Sequence, residues 1–221
     1  MAGTSVAHCT ITGDHGLTLP ILYHCADARS FRCLWAAEEA GFALDLRLLP
    51  FPPRVFAPEY KAINPLGTIP ALVENGRLMT ESGAICQRIS LGTRLEMVPG
   101  EADYFSYLDW LHRSDATFTF PQTLVLRYTR LEPEARRLPQ AVADYTAFFL
   151  GRMRILETAL EDGREFLVGG RFTIADICVG YAVMLADSLR IGDELGLKTR
   201  VWWNGLTERS GFKSAKTRQK A

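Results

Sequence analysis

The spacing of apolar residues changes repeatedly along this chain. Leu19-Pro20-Ile21-Leu22-Tyr23-His24 is a short apolar run that predicts a buried strand. From Ser30 to Ala40 the period lengthens. Phe31, Leu34 and Trp35 fall on one helical face, Glu38 and Glu39 on another, and Gly41 follows as a stop signal. Ala43 to Leu49 alternates, with Leu44, Leu46 and Leu48 interleaved with Asp45 and Arg47, which predicts a second strand. Strand, helix and strand in this order imply a parallel pair joined by a crossover helix. Pro50 to Ala62 is proline-rich and predicts a loop with a short helix. Ile69 to Val73 and Leu78 to Thr80 predict two more strands. The Asn75-Gly76 between them is the preferred centre of a two-residue hairpin, because both positions need positive φ. Ser82 opens another helix, running to about Ile89.

Gly92 to Gly100 predicts a linker, and everything after it has helical spacing. Tyr104, Leu108 and Leu111 share a face. Val142, Tyr145, Phe149, Met153, Leu156 and Leu160 recur at steps of three and four, as do Ile174, Ile177, Tyr181 and Leu185. Val201, Trp202 and Leu206 predict a final short helix. The expected organisation is a leader over 1–18, an α/β domain over 19–91, a linker over 92–100 and an all-α domain over 101–221.

Composition narrows the possibilities without pointing to a function. The 221 residues are 48% hydrophobic and 23% charged, the profile of a globular protein with a sizeable core. Lys+Arg and Asp+Glu balance at 25 each, so no global field favours nucleic acid or an anionic membrane surface. Lys213, Lys216, Arg218 and Lys220 form a small basic tail, expected to be a solvated, frayed end. Cys9, Cys25, Cys33, Cys86 and Cys178 are odd in number and scattered, without a C-x-x-C pair, and imply reduced thiols in a cytoplasmic protein. His24 and His112 lack partners at metal-ligand spacing, so no metal site is expected. No secretory signal and no membrane-spanning run is evident.

Two segments carry candidate chemistry. In Asn64-Pro65-Leu66-Gly67-Thr68-Ile69-Pro70 a proline heads a strand. A cis bond there would turn the Ile69 backbone outward, where it could pair with an extended peptide; the alternative is a plain loop proline before a hairpin. In Thr80-Glu81-Ser82-Gly83-Ala84-Ile85 the serine is placed to cap a helix whose first amides could hold a carboxylate, and Glu81 could meet an ammonium group. The alternative is a capped helix with an exposed acid. One hairpin joins the segments, so they converge at one end of the sheet, and their groups suit a small peptide with an α-amino acid end.

The strand-helix-strand opening, the N-P-L-G-T-I-P-A-L run, the hairpin and the E-S-G-A-I turn together resemble the cytosolic glutathione transferase superfamily, in a bacterial-type member of unassigned class. The resemblance runs from about Leu19 to the end. It implies a thioredoxin-like N-terminal domain, an all-α C-terminal domain and a cis bond before Pro70. It also implies glutathione bound by Thr68, Ile69, Pro70, Glu81 and Ser82. Thr173 and Asp176 resemble the buried capping box of the family's second domain, in which the aspartate reaches back to the threonine N–H.

The implied activity is conjugation of glutathione thiolate to small hydrophobic electrophiles by a homodimer, a detoxification reaction. A glutathione-dependent lyase, dehalogenase or isomerase, or a glutathione binder without catalysis, are the alternatives. The chain departs from the serine-type pattern, because neither Asp27 nor Ala28 carries a hydroxyl. Ser30 could donate its hydroxyl or only cap the first helix, and Arg29 could stabilise the thiolate by charge or be merely exposed. Cys25 could exchange with glutathione or be a buried strand-end thiol, Tyr23 could point at the site or into the core, and loop N–H groups could serve instead. Arg32 could pair with an acid near the site or across a dimer. Trp110, Ser114, Phe118, Phe120 and Tyr128 are the candidates for the wall of the electrophile pocket or, alternatively, for core.

Overall fold

The computed structural model describes residues 18–220, so Cys9 and nearly all of the expected leader lie outside the described residues. The first domain contains β1 (Ile21–His24), α1 (Ser30–Ala40), β2 (Asp45–Leu48) and the short α2 (Pro53–Phe56). A 3-10 turn over Pro58–Ala62 leads to β3 (Ala71–Glu74), β4 (Arg77–Met79) and α3 (Ser82–Ser90). The sheet order is β2-β1-β3-β4, with β1 parallel to β2 and the other neighbours antiparallel. This is the thioredoxin-like arrangement.

Local rules explain the joints. α1 buries every residue from Ser30 to Ala37 and ends at Gly41, whose φ of 63° lets its N–H return to the Ala37 carbonyl. Asn75 and Gly76 hold φ of 51° and 72°, the paired positive values that a tight hairpin needs. β2 lies at the edge of the sheet, so its alternation yields only partial burial, and Leu48 is exposed.

The second domain contains α4 (Tyr104–Arg113), α5 (Phe120–Leu126), α6 (Pro139–Ala159), α7 (Ile174–Leu189), α8 (Leu197–Thr207) and α9 (Ser210–Arg218). π-helical turns over Ser114–Thr119 and Arg127–Leu131 flank α5. α7 is buried nearly all round, as a helix in the centre of a bundle must be. Its start is the expected capping box: Thr173 Oγ1 accepts from Ala175 N–H at 3.2 Å, and Asp176 accepts from Thr173 N–H at 2.8 Å. Asp176 also accepts from Leu167 N–H at 2.8 Å. Burial nevertheless pushes its carboxyl up to about 7, against the pull of these donors.

One hydrophobic core runs through both domains, from Leu22, Trp35 and Ile85 to Phe149, Leu156 and Val179. Trp35 joins them, its ring 5.0 Å from Phe212 and 5.8 Å from Phe172. The basic tail is a correction to the sequence reading: it is not a frayed end. Residues 210–218 form α9, which buries Phe212 and Ala215. Lys216 reaches Asp27 at 2.6 Å and Arg218 reaches Glu38 at 2.8 Å. The acids on and before α1 draw in cations that look solvated in a one-dimensional reading.

Candidate functional site

The Ile69–Pro70 bond is cis, as is Phe51–Pro52. Ile69 lies just before β3, outside the ladder, and its N–H and C=O have no hydrogen-bond partner among the described residues. The turn before it is firmly built. The Thr68 carbonyl accepts from the Tyr60 hydroxyl and from Asn64 Nδ2, both at 2.9 Å. Beneath this edge, Tyr23 packs on Tyr60 at 5.3 Å in a small second cluster and does not point at the site.

Glu81 precedes α3 with φ of 67°, a left-handed value uncommon for a residue with a side chain. Its carboxylate is exposed and has no cation within 4.0 Å among the described residues. Ser82 is the first residue of α3 and not its side-chain cap, a correction of one position. Its hydroxyl accepts instead from Arg32 at 2.9 Å. The physical reason is that Arg32 is fully buried and must find acceptors. It also bonds Asp115 at 3.1 Å, the Ser114 carbonyl at 3.1 Å and Thr119 Oγ1 at 2.6 Å, and stands 4.7 Å over the Tyr181 ring. Arg32 therefore pairs with an acid in the same chain and pins the Ser82 turn to the helical domain. The N–H groups of Gly83 and Ala84 have no partner among the described residues, which leaves the first turn of α3 open to an anion.

The β1–α1 loop is held from both ends. Ser30 is fully buried; its Oγ accepts from Cys25 N–H at 3.2 Å and donates to the Cys25 carbonyl at 3.3 Å. It neither caps α1 nor lines the cleft. Cys25 is completely buried, and burial pushes its thiol up to about 12. Asp27, at φ 55°, is gripped by Gln219: its N–H donates to Gln219 Oε1 at 3.0 Å and its carboxylate accepts from Gln219 Nε2 at 2.8 Å. Burial works against this carboxylate, but the bonds to Lys216 and Gln219 outweigh it and hold its pKa below the usual value. Sequence reasoning missed Gln219, and nothing in its local pattern signals the role.

A cleft of about 430 Å³ separates the domains. Ala26 to Arg29, Phe51 to Arg54 and Gly67 to Ile69 line one side; Thr123, Leu126, Arg130, Tyr181, Leu185 and Ser188 line the other. Arg29 spans the gap, donating to Thr123 Oγ1 at 2.9 Å and standing 3.6 Å from Asp115.

Thr68, Ile69 and Arg29 thus meet at the cleft, while Glu81 and Ser82 sit apart from its lining. Trp110, Ser114 and Phe118 do not line it. Trp110 packs on Phe118 at 6.4 Å, and Ser114 donates to the Leu111 carbonyl at 2.6 Å, all three buried. The π-helical turn over Ser114–Thr119 packs against α7 and buries Ser114 and Phe118, while Trp110 is buried from α4. Phe120 and Tyr128 are also outside the lining. Their place is taken by Leu126, Tyr181 and Leu185. The last two were legible as an apolar stripe, and they are core residues whose edge also borders the cleft. Among the described residues, no group of His, Cys, Asp or Glu could hold a metal ion, and no helix is long and apolar enough to cross a membrane.

Comparison with known proteins finds similarity to glutathione transferases in sequence and in fold. Residues 28–90 match the glutathione S-transferase N-terminal domain family. Glutathione S-transferase hmp2 of Hypomyces subiculosus is 29% identical over 133 residues, which cover 54% of this chain and 59% of that protein. The match to this relative therefore spans less than two thirds of its length. Glutathione S-transferase 3 of Schizosaccharomyces pombe is 22% identical over 88% of this chain and 86% of its own. The crystal structure of glutathione transferase URE2P6 from Phanerochaete chrysosporium, in complex with oxidised glutathione, superposes with a TM-score of 0.78. It is 25% identical, covering 93% of this chain and 98% of the other.

Proposed function

We propose that the chain is a member of the cytosolic glutathione transferase superfamily, that it binds glutathione and that it transfers the glutathione thiolate to small hydrophobic electrophiles. The tripeptide lies along Thr68-Ile69-Pro70, with its γ-glutamyl end at the Glu81–Ser82 turn. The observation that carries this reading is the unpaired Ile69 backbone, on the lip of a cleft and one hairpin away from an open helix start with an unpaired carboxylate. An extended peptide could satisfy the edge, its carboxylate the Gly83 and Ala84 amides, and its ammonium group Glu81.

The chemistry is activation of a thiol. A free thiol has a pKa of about 8.5 and is mostly protonated at neutral pH. Arg29, a permanent cation at the start of α1, stabilises the thiolate together with the N-terminal end of that helix. The thiol proton leaves to water. The sulfur then forms a bond to carbon as a halide departs, or adds to a double bond whose other carbon takes a proton. Ser30 has no part in this step, since its hydroxyl is committed to the Cys25 backbone. Thiol exchange through Cys25 is disfavoured by a thiol that is buried and protonated. The proposed enzyme acts as a homodimer in detoxification.

A second reading, glutathione binding without conjugation, is favoured by one observation: no hydroxyl or thiol stands at Asp27 or Ala28, and Ser30 is turned away. Conjugation to a chlorodinitrobenzene, followed beside thiolate absorbance, separates the two. The wild type is expected to conjugate, Ser82→Ala to raise KM for glutathione, and Arg29→Gln to lower kcat by about tenfold for each pKa unit lost. Glutathione binding with neither thiolate absorbance nor turnover supports the second reading. No glutathione binding refutes both.

A further inference from the structure

Resting on the reading of the cleft as a glutathione site, we propose that its second substrate is an acidic electrophile: a ring or short apolar body with a reactive carbon at one end and a carboxylate at the other, received by Arg130. The charges of the cleft do not balance without it. The lining holds three guanidinium groups, on Arg29, Arg54 and Arg130, and one carboxylate, on Asp27. Asp27 is already neutralised by Lys216 at 2.6 Å. Arg29 has Asp115 at 3.6 Å. Arg54 and Arg130 have no carboxylate within 4.0 Å among the described residues. Arg54 stands against Gly67, on the side the tripeptide edge occupies, where a carboxylate of glutathione can answer it. Arg130 is on the opposite wall and is left for the partner molecule.

That wall is layered. Thr123, Leu126 and Arg130 follow one another at steps of three and four along α5 and the turn after it, and so do Tyr181, Leu185 and Ser188 along α7. Each stripe runs polar, apolar, polar. Thr123 carries Arg29 at the thiolate end. Leu126 and Leu185 form the apolar middle. Arg130 and Ser188 close the far end, with the guanidinium anchored on the Ser188 carbonyl and, at 3.5 Å, its hydroxyl. Arg130 lies seven positions beyond Thr123, on the order of 10 Å along the helix axis, room for one substituted ring between the sulfur and the charge. Arginine has five N–H donors. Those not on Ser188 remain exposed and can take a carboxylate side-on.

The test measures binding, so it does not depend on turnover. Glutathione, S-(para-carboxybenzyl)glutathione and S-(para-methylbenzyl)glutathione, the last two nearly equal in shape, are titrated calorimetrically into the wild type and Arg130→Gln. The wild type should bind the carboxybenzyl conjugate roughly tenfold more tightly than the methylbenzyl one, and Arg130→Gln should abolish the preference. Equal affinity for the two conjugates in the wild type, or a preference that survives in Arg130→Gln, overturns this proposal alone. Failure of the wild type to bind glutathione at all overturns the underlying reading and this one with it.

Discussion

Replacing Arg32 with methionine tests how the two domains are joined at the site. The substitution keeps most of the stem volume and removes the charge. Of the partners left behind, the Ser114 carbonyl still accepts from Thr119 Oγ1 at 2.7 Å. Asp115 is 36% exposed, so water replaces the lost guanidinium. Ser82 Oγ is the exception: the residue is 3% exposed and loses the donor that held it. A buried hydroxyl left without its partner costs about 1–3 kcal/mol. Removing a fully desolvated guanidinium returns part of that, the more so because Arg32 Nε has no partner of its own. The net loss should be about 1–2 kcal/mol, or roughly 2–8 °C in Tm for a chain of this size. Urea denaturation of the wild type, Arg32→Met, Ser82→Ala and the double variant measures it. In the Arg32→Met background Ser82→Ala should cost about 1 kcal/mol less than in the wild type, because the orphaned hydroxyl is gone. Additive losses, or an Arg32→Met variant as stable as the wild type, would refute the idea that this bond couples the Ser82 turn to the helical domain.

Three further outcomes are expected. Thr173→Ala should destabilise the fold by about 1–2 kcal/mol in urea titration, the usual cost of losing an N-cap; an unchanged midpoint would remove the capping box from the account of α7. A Cys9→Ser variant, whose remaining cysteines Cys25, Cys33, Cys86 and Cys178 are all buried, should show no thiol reactive toward an aromatic disulfide reagent at neutral pH until it unfolds. Prompt modification of Cys25 would return thiol exchange to contention. His24 is fully buried with Nδ1 unpartnered, and burial lowers its pKa from 6.5, so the fold favours the neutral ring. Its contribution is complete above pH 6.5 and is lost as pH falls toward the folded pKa. The wild type should therefore lose stability relative to His24→Gln on acidification below pH 6.5, and a difference constant with pH would contradict this.

The elements that a single sequence resolved are those whose cause is local. The stripe of Phe31, Leu34 and Trp35 with Gly41 behind it marks α1, Asn75-Gly76 marks the hairpin, and Thr173 with Asp176 marks the start of α7. Each depends on residues a few positions apart, so the pattern contains its own explanation. α5, the two π-helical turns and α9 escaped, because Pro121 and dense polar or basic residues interrupt the apolar period there. The peptide edge and the open turn at Glu81 were legible as motifs, while the direction of their side chains was not. Ser82 was expected to cap its own helix and is claimed by Arg32, 50 residues away. Ser30 faces the Cys25 backbone, and Asp27 is held by Gln219, 192 residues further on. The sequence alone determined the order of the elements, the turns between them and the segments that carry the chemistry. The tertiary structure decided which polar groups remain free to act. A hydroxyl or guanidinium is bonded by whichever partner burial brings to it, and that partner is chosen by packing across the whole chain.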